Sequence, residues 1–136
     1  MSIQYLLDTN IVSYYLRRSS PALEARVSTA LQQQTLAISA LTHAELRFGQ
    51  AGMLAEDKRR ALIDHFLLRL PNLPWTTQAA DHYGALKNLY KRQGKPIGEL
   101  DTQIAAHALA EGLTLVTNNT RHFVHIPALH MDDWMT

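Results

Sequence analysis

Short apolar runs alternate with helix-like segments over the whole chain, and this alternation limits the folds open to it. Residues 3–7, 36–38 and 113–116 have the length and composition of buried strands. Between them, apolar residues recur every three to four positions, as in amphipathic helices. Such alternation favours an α/β protein with a mostly parallel sheet and helices on both faces. The 136 residues predict one domain over residues 1–136.

Capping residues predict where several helices begin and end. Ser20, followed by proline at the first helical position, predicts one helix start, and Ser39 is a second candidate N-cap. Glycines predict the ends of helices over residues 77–93 and 100–111. A further helix over residues 56–70 is predicted to bury Leu62, Ile63, Phe66 and Leu70.

Composition excludes several classes of protein. The net charge of +1 excludes a strongly basic nucleic-acid binder, although it leaves a local basic patch open. The chain has no cysteine, which excludes disulfides, thiolate metal sites and a cysteine nucleophile. Its apolar runs stay well short of the roughly 20 residues of a membrane span, and its first residues do not resemble a signal peptide. We therefore expect no membrane partner and a cytoplasmic location.

Three carboxylates occupy positions where a solvated side chain is unexpected. Asp8 follows an apolar strand at its carboxyl end, which is where open parallel sheets form ligand crevices. Glu45 shares a helix face with Leu41 and Phe48, and this face is predicted to lie against the sheet. Asp101 points with the apolar stripe from the first turn of its helix. Each also has an ordinary interpretation, namely an N-cap, a rim position and a first-turn charge, respectively.

Folding can bring these three acids into one crevice. Grouped carboxylates repel each other unless a cation neutralises them. Oxygen ligands without thiolates favour a hard cation, Mg²⁺ or Mn²⁺, which can activate water for attack on a phosphate. Asn119 ends the run after residues 113–116 and is expected beside Asp8 if the two strands are neighbours. Its amide oxygen is then an auxiliary ligand, unless Asn119 only shapes a turn.

Four segments occur in order over nearly the whole chain: YLLDTNIVSYYL, ISALTHAELRFG, GELDTQIAAHALAEGLTLVTNN and HF…IPALHMDDW. Together they are similar to the PIN-domain ribonucleases and especially to the VapC toxins of bacterial toxin–antitoxin pairs. The resemblance implies a PIN-like three-layer α/β/α sandwich with a mostly parallel central sheet. It also implies metal-dependent endonucleolytic cleavage of RNA, a cognate antitoxin and a homodimer.

The resemblance also assigns the site residues. It implies that Asp8, Glu45 and Asp101 are the catalytic acids and hold Mg²⁺ or Mn²⁺. Many family members carry a fourth acid where this chain has Asn119, and Glu99 is the other candidate for that role. The implied substrate is single-stranded or loop RNA, with the anticodon loop of initiator tRNA as one candidate target.

Positive charge near the crevice is expected to bind the RNA backbone. Arg92, Lys95 and Arg121 lie close in sequence to the predicted site and are candidates for phosphate contacts. The seven histidines, His122 among them, form no clear acid–base pair, so we interpret most of them as structural or solvated.

Three other functions stay open from the sequence. One is a PIN-domain RNA-processing nuclease without a toxin role. Another is a non-catalytic RNA- or protein-binding module. The third is a phosphoryl-transfer protein with Asp8 as nucleophile, which is disfavoured because Thr9 and Asn10 supply no second acid beside Asp8.

Overall fold

The computed structural model describes residues 2–95 and 97–136 and contains a five-stranded sheet whose pairings are all parallel. The strand order is β3-β2-β1-β4-β5, so the first strand lies at the centre. The strands are β1 (Tyr5–Leu7), β2 (Leu36–Ser39), β3 (Asn72–Leu73), β4 (Thr114–Val116) and β5 (Met131–Asp132).

The helices begin close to the predicted caps. The Ser20 hydroxyl accepts from the backbone N–H of Leu23 at 3.2 Å, and the Ser39 hydroxyl accepts from that of Leu41 at 3.0 Å. The helices are α1 (Thr9–Leu16), α2 (Pro21–Gln33), α3 (Ala40–Ala51), α4 (Arg59–Leu68), α5 (Thr77–Gln93), α6 (Glu99–Glu111) and α7 (Thr120–Phe123).

Two hydrophobic cores lie on opposite faces of the sheet. Successive strand residues point to opposite faces, so Leu6 and Leu115 join one core while Leu7 and Val116 join the other. Helices α1 to α4 cover the core of Leu7, and α5 to α7 cover the core of Leu6. The predicted three-layer α/β/α arrangement with a parallel sheet is therefore confirmed.

The predicted inward face of α3 was wrong. Phe48 is 79% exposed and Glu45 is exposed, while Thr42, Leu46 and Gln50 are the buried residues of α3. Two of those three residues are polar, and neighbouring helices supply their hydrogen-bond partners. Apolar periodicity alone therefore does not identify the face of α3 that packs against the rest of the protein. Thr42 Oγ1 lies 2.9 Å from a hydroxyl of α1, and Gln50 Nε2 donates to two oxygens from the segment of α4.

Helix α4 differs from its prediction in length and in one buried position. It begins at Arg59, three residues later than predicted, and ends at Leu68. Leu62 is half exposed, and Leu67 is buried instead, together with Ile63 and Phe66.

Within the part of the chain that the structure describes, every helix is too short or too polar to cross a membrane.

Candidate active site

The candidate site begins where the two central strands end. Leu7 of β1 pairs with Val116 of β4, so the next residues, Asp8 and Thr117, lie side by side at the carboxyl edge of the sheet. The backbone N–H of Asp8 donates to the Val116 carbonyl at 3.0 Å, and Thr117 Oγ1 donates to Asp8 Oδ2 at 2.8 Å. Asp8 is only 2% exposed, so a strand end places a carboxylate in the protein interior.

Asp8 has both of the roles that its sequence position predicts. Its Oδ1 accepts from the backbone N–H of Asn10 at 3.3 Å and caps α1, while Oδ2 faces Thr117. Burial raises the pKa of Asp8, the negative charge of Asp101 raises it further, and the hydrogen bond from Thr117 opposes both effects. The folded protein therefore holds a desolvated carboxylate close to a second one.

Asp101 comes to the site from the other side of the sheet. It lies in the first turn of α6, and its side chain is 25% exposed. Its Oδ2 is 3.3 Å from Nδ1 of His122 in α7, and the same nitrogen is 2.8 Å from Nδ2 of Asn119. The backbone N–H of Asn119 donates to Thr117 Oγ1 at 3.0 Å. Close polar contacts through Thr117 and His122 thus link the three predicted residues Asp8, Asn119 and Asp101.

Sequence reasoning missed two residues of this group, Thr117 and His122. Thr117 directly follows β4, and His122 is three residues after Asn119, a spacing at which side chains meet on a helical turn. The first signal was available, since Thr117 ends a strand beside β1. The sequence holds no such signal for His122, because its contact with Asp101 depends on where α6 packs.

Glu45 does not join the group. It is exposed on α3 and lines a cleft beside Asn10, Ser13 and Tyr14 of α1. Across residues 2–95 and 97–136, no three His, Asp or Glu side chains lie close enough to hold one metal ion together. The wrong α3 face explains why the burial argument for Glu45 fails, and its role as a metal ligand stays a prediction.

The predicted RNA contacts and the alternative acid lie at the surface. Arg121 is exposed on α7 next to His122, while Arg92 and Lys95 are exposed at the end of α5 and just beyond it. Glu99, at the start of α6, is 3.3 Å from Lys87 in an exposed ion pair. Glu99 is therefore engaged at the surface, as its loop-side position predicts.

The donor atoms present fit a hard divalent cation. Magnesium keeps several waters and is commonly bound by only one or two carboxylates. Asp8 and Asp101 supply two, and the raised pKa of Asp8 marks a site where added positive charge is favourable. Asn119 adds a neutral amide within the same hydrogen-bonded group.

An open cleft of about 570 Å³ adjoins this site. Helices α1, α3 and α4 form it, together with Met53. Its lining is mostly apolar and includes Tyr14, Leu46, Leu62 and Ile63. Its polar residues are Asn10, Ser13, Arg17, Glu45 and Arg59, and the backbone N–H of Asn10 donates to Asp8. We call it the α1–α3–α4 cleft.

Known proteins are similar to this chain in both sequence and fold. The family model for the PIN domain matches residues 5–129. Ribonuclease VapC2 of Haemophilus influenzae is 38% identical over 133 residues, which cover 98% of this chain and 99% of the relative. The chain belongs to the VapC family of PIN-domain proteins.

Two further VapC relatives agree with this assignment. The tRNA(fMet)-specific endonuclease VapC of Salmonella typhimurium is 35% identical, over 97% of this chain and 98% of that protein. The structure of VapBC2 from Rickettsia felis, bound to a DNA fragment from their promoter, superposes with a TM-score of 0.87 at 33% identity. That match covers 98% of this chain and 99% of the R. felis chain. The resemblance to VapC proteins that the four sequence segments predicted is confirmed.

Proposed function

We propose that this VapC-family protein is a divalent-metal-dependent endoribonuclease and the toxin of a toxin–antitoxin pair. The VapC relatives named as ribonucleases and endonucleases support the nuclease activity. The observation that carries the chemistry is the buried Asp8 carboxylate, held by Thr117 and close enough to Asp101 for the two charges to repel. Such a pair is suited to a cation and poorly suited to remaining without one.

In this proposal Asp8 and Asp101 hold Mg²⁺ or Mn²⁺, and the Asn119 amide is an auxiliary ligand. A divalent cation held by these residues would supply a polarised water for in-line attack and positive charge to offset that of the phosphate. Thr117 keeps Asp8 Oδ2 oriented, and capping of α1 keeps Oδ1 oriented, so the carboxylate does not need to reorganise on binding. Glu45 is proposed as the third acid and adds its negative charge from the wall of the neighbouring cleft.

Basic side chains near the site are proposed to bind the RNA backbone. Arg121 follows Asn119 at the start of α7, and Arg92 and Lys95 precede the α6 turn that carries Asp101. Phosphate contacts supply affinity without choosing a sequence, so the choice of substrate falls to loop shape and unstacked bases. We propose the anticodon loop of initiator tRNA as the target, by similarity to the relatives named tRNA(fMet)-specific endonucleases, and the cytoplasm as the place of action.

The test is cleavage of end-labelled initiator tRNA by wild type, Asp8→Asn and Asp101→Asn, with an elongator tRNA as substrate control. Both substitutions preserve shape and remove charge, so we expect cleavage to be lost while the fold persists. Asp81→Asn, an exposed carboxylate on α5, is the matched control and should cleave as wild type does. Full activity in either site variant would refute the two-carboxylate mechanism.

A cognate antitoxin is the proposed partner, and the α1–α3–α4 cleft is its proposed binding site. Solved relatives are VapBC complexes, which supports a partner of that kind. The cleft is mostly apolar and includes Asn10, which contacts Asp8, so an apolar antitoxin segment lying in it would come next to the acidic site. Leu62 lines the cleft and is 50% exposed, which leaves apolar surface for a partner to cover.

Co-expression with the antitoxin tests whether it binds in this cleft. Leu62→Glu should abolish co-purification with the antitoxin and leave RNA cleavage unchanged. Leu68→Glu is the matched control, since Leu68 is 87% exposed and lines a different cleft. Normal antitoxin binding by Leu62→Glu would exclude the cleft. Failure of the antitoxin to suppress cleavage by wild type would favour an RNA-processing nuclease instead.

We also propose that the protein forms a homodimer, as the resemblance to VapC toxins implies. Exposed apolar side chains on α3 and beyond α7, Phe48 and Val124, offer surface that a second copy can bury. Light scattering coupled to gel filtration should give twice the monomer mass, and a monomer at micromolar concentration would refute this part of the proposal.

A further inference from the structure

His122 contacts the candidate site at a position that the proposed mechanism does not use. Its Nδ1 lies 3.3 Å from Asp101 Oδ2 and 2.8 Å from Asn119 Nδ2. A tautomer with its proton on Nδ1 donates to Asp101. The amide oxygen of Asn119 can share that hydrogen after a half-turn of the amide. The imidazole therefore links a residue that follows β4 to the carboxylate of α6.

The backbone of His122 is anchored, although its side chain is half exposed. The neighbouring Phe123 is 1% exposed and packs in the core that α5 and α6 cover. The Tyr90 hydroxyl, from α5, donates to the His122 carbonyl at 3.4 Å. The imidazole is thus presented to Asp101 from a fixed point rather than from a free loop.

The contacts of His122 complete a path of close polar contacts between the two carboxylates. Starting at Asp8, the path passes through Thr117 Oγ1, the backbone and side chain of Asn119, and Nδ1 of His122 to Asp101. Asp8 is fixed by burial, by its cap and by Thr117. Asp101 is more exposed, and the contact with His122 restrains it from the side of α7.

Partners that orient metal ligands set affinity even though they do not touch the metal. Losing one commonly weakens binding by about 10- to 100-fold, because the ligand must then be ordered on binding. Two like charges add to this effect, since an unrestrained carboxylate turns away from its neighbour when no cation is present.

We propose that His122 is a positioning residue that holds the Asp101 carboxylate opposite Asp8 and thereby sets the affinity of the site for a divalent cation. This inference rests on the proposed metal site. It adds the imidazole of His122 to the four residues of the proposed site, Asp8, Glu45, Asp101 and Asn119.

Calorimetric titration of the RNA-free protein with Mn²⁺, and separately with Mg²⁺, tests the inference without relying on cleavage. His122→Ala should bind both ions about 10- to 100-fold more weakly than wild type. His122→Asn should recover most of that affinity, because its side-chain amide can occupy the place of Nδ1 and donate to Asp101. His125→Ala, an exposed histidine in the turn after α7, is the matched control and should bind as wild type does.

Each result separates the possibilities. Equal affinity in wild type and His122→Ala would overturn this inference alone. A loss in His122→Ala that His122→Asn leaves unrestored would also overturn it and point to direct ligation by the imidazole. Absence of binding to wild type would overturn the proposed metal site and this inference together. Metal-free thermal melting of the variants should match wild type, which shows that a loss of affinity is not a loss of fold.

Discussion

Asp8→Asn should stabilise the metal-free protein at neutral pH while abolishing its stabilisation by metal. Burial and the nearby charge of Asp101 raise the pKa of Asp8, so the ionised carboxylate is less favourable in the folded chain than in the unfolded one. Asparagine keeps the capping of α1 through its amide oxygen, since it is as good an N-cap as aspartate, and its amide nitrogen, in the place of Oδ2, can donate to Thr117 Oγ1. The substitution therefore removes a charge at little structural cost.

The pH dependence of this effect has a defined sign. Below the ordinary aspartate pKa of 3.8, Asp8 is protonated in both states, and Asp8→Asn should have little effect on stability. As the pH rises from 3.8 through the higher folded-state pKa, the unfolded chain ionises first and wild type loses stability. The free energy of unfolding of the variant should exceed that of wild type increasingly over this window and by a constant amount above it.

Bound metal should make wild type more stable than Asp8→Asn, the reverse of the metal-free order. A ligand at one hundred times its dissociation constant stabilises the folded state by about 2.7 kcal/mol. Unfolding entropy near 2.1 cal/mol/K per residue gives about 290 cal/mol/K for 136 residues, so 1 kcal/mol shifts Tm by roughly 3.5 °C. Wild type should therefore gain about 9 °C at that concentration, and Asp8→Asn should gain almost nothing.

Thermal melting followed by circular dichroism, at pH 3.5 and 7.5, with EDTA or with Mg²⁺, measures all four conditions. Asp81→Asn, on the exposed surface of α5, should follow wild type in each. Equal Mg²⁺ shifts in wild type and Asp8→Asn would refute the assignment of Asp8 as a ligand. A metal-free Asp8→Asn protein less stable than wild type at pH 7.5 would refute the claim that the buried charge is unfavourable.

Three further predictions concern two helix caps and the buried His107. Ser20→Ala should lower the free energy of unfolding by about 1 kcal/mol through loss of an N-cap. Ser39→Ala should lower it by about 2–3 kcal/mol in urea titrations, because the buried His107 Nδ1, 2.8 Å from Ser39 Oγ, also loses its partner. Burial lowers the pKa of His107, although Glu111 opposes this, so stability should fall as the pH drops below the unfolded value of 6.5. His107→Gln should flatten the slope of Tm between pH 7 and pH 5, and an unchanged slope would refute this reasoning.

The order of elements was predictable because apolar runs and caps are local signals. The bounds of α5 agree with the prediction over residues 77–93, since Thr76 caps its start and Gly94, with φ of +67°, ends it. The place of β1 at the centre of the sheet is a non-local property that its pairings with β2 and β4 establish, and the second of these aligns Leu7 with Val116. That pairing is what turned a conditional expectation for Asn119 into an observed proximity to Asp8.

The prediction for α3 failed because a helix can bury polar residues when its neighbours satisfy them. Apolar periodicity favoured Leu41 and Phe48, yet the helix packs through Thr42, Leu46 and Gln50. The amide of Gln50 donates to the Arg60 carbonyl and to Asp64, partners that no local pattern reveals. Glu45 accordingly points toward solvent and the α1–α3–α4 cleft.

The same reasoning explains which part of the site needed the structure. Asp8 and Asp101 are recognisable because charge at a strand end or in a helical first turn is unusual beside apolar residues. His122 is not recognisable, because an exposed histidine in a short helix is common and acquires meaning only through Asp101, 21 residues earlier in sequence. A site with two carboxylates, one amide and an imidazole carries less negative charge than one with four acids. Its hold on a cation therefore depends more on how well Asp101 is restrained, which is the quantity that the His122 titrations measure.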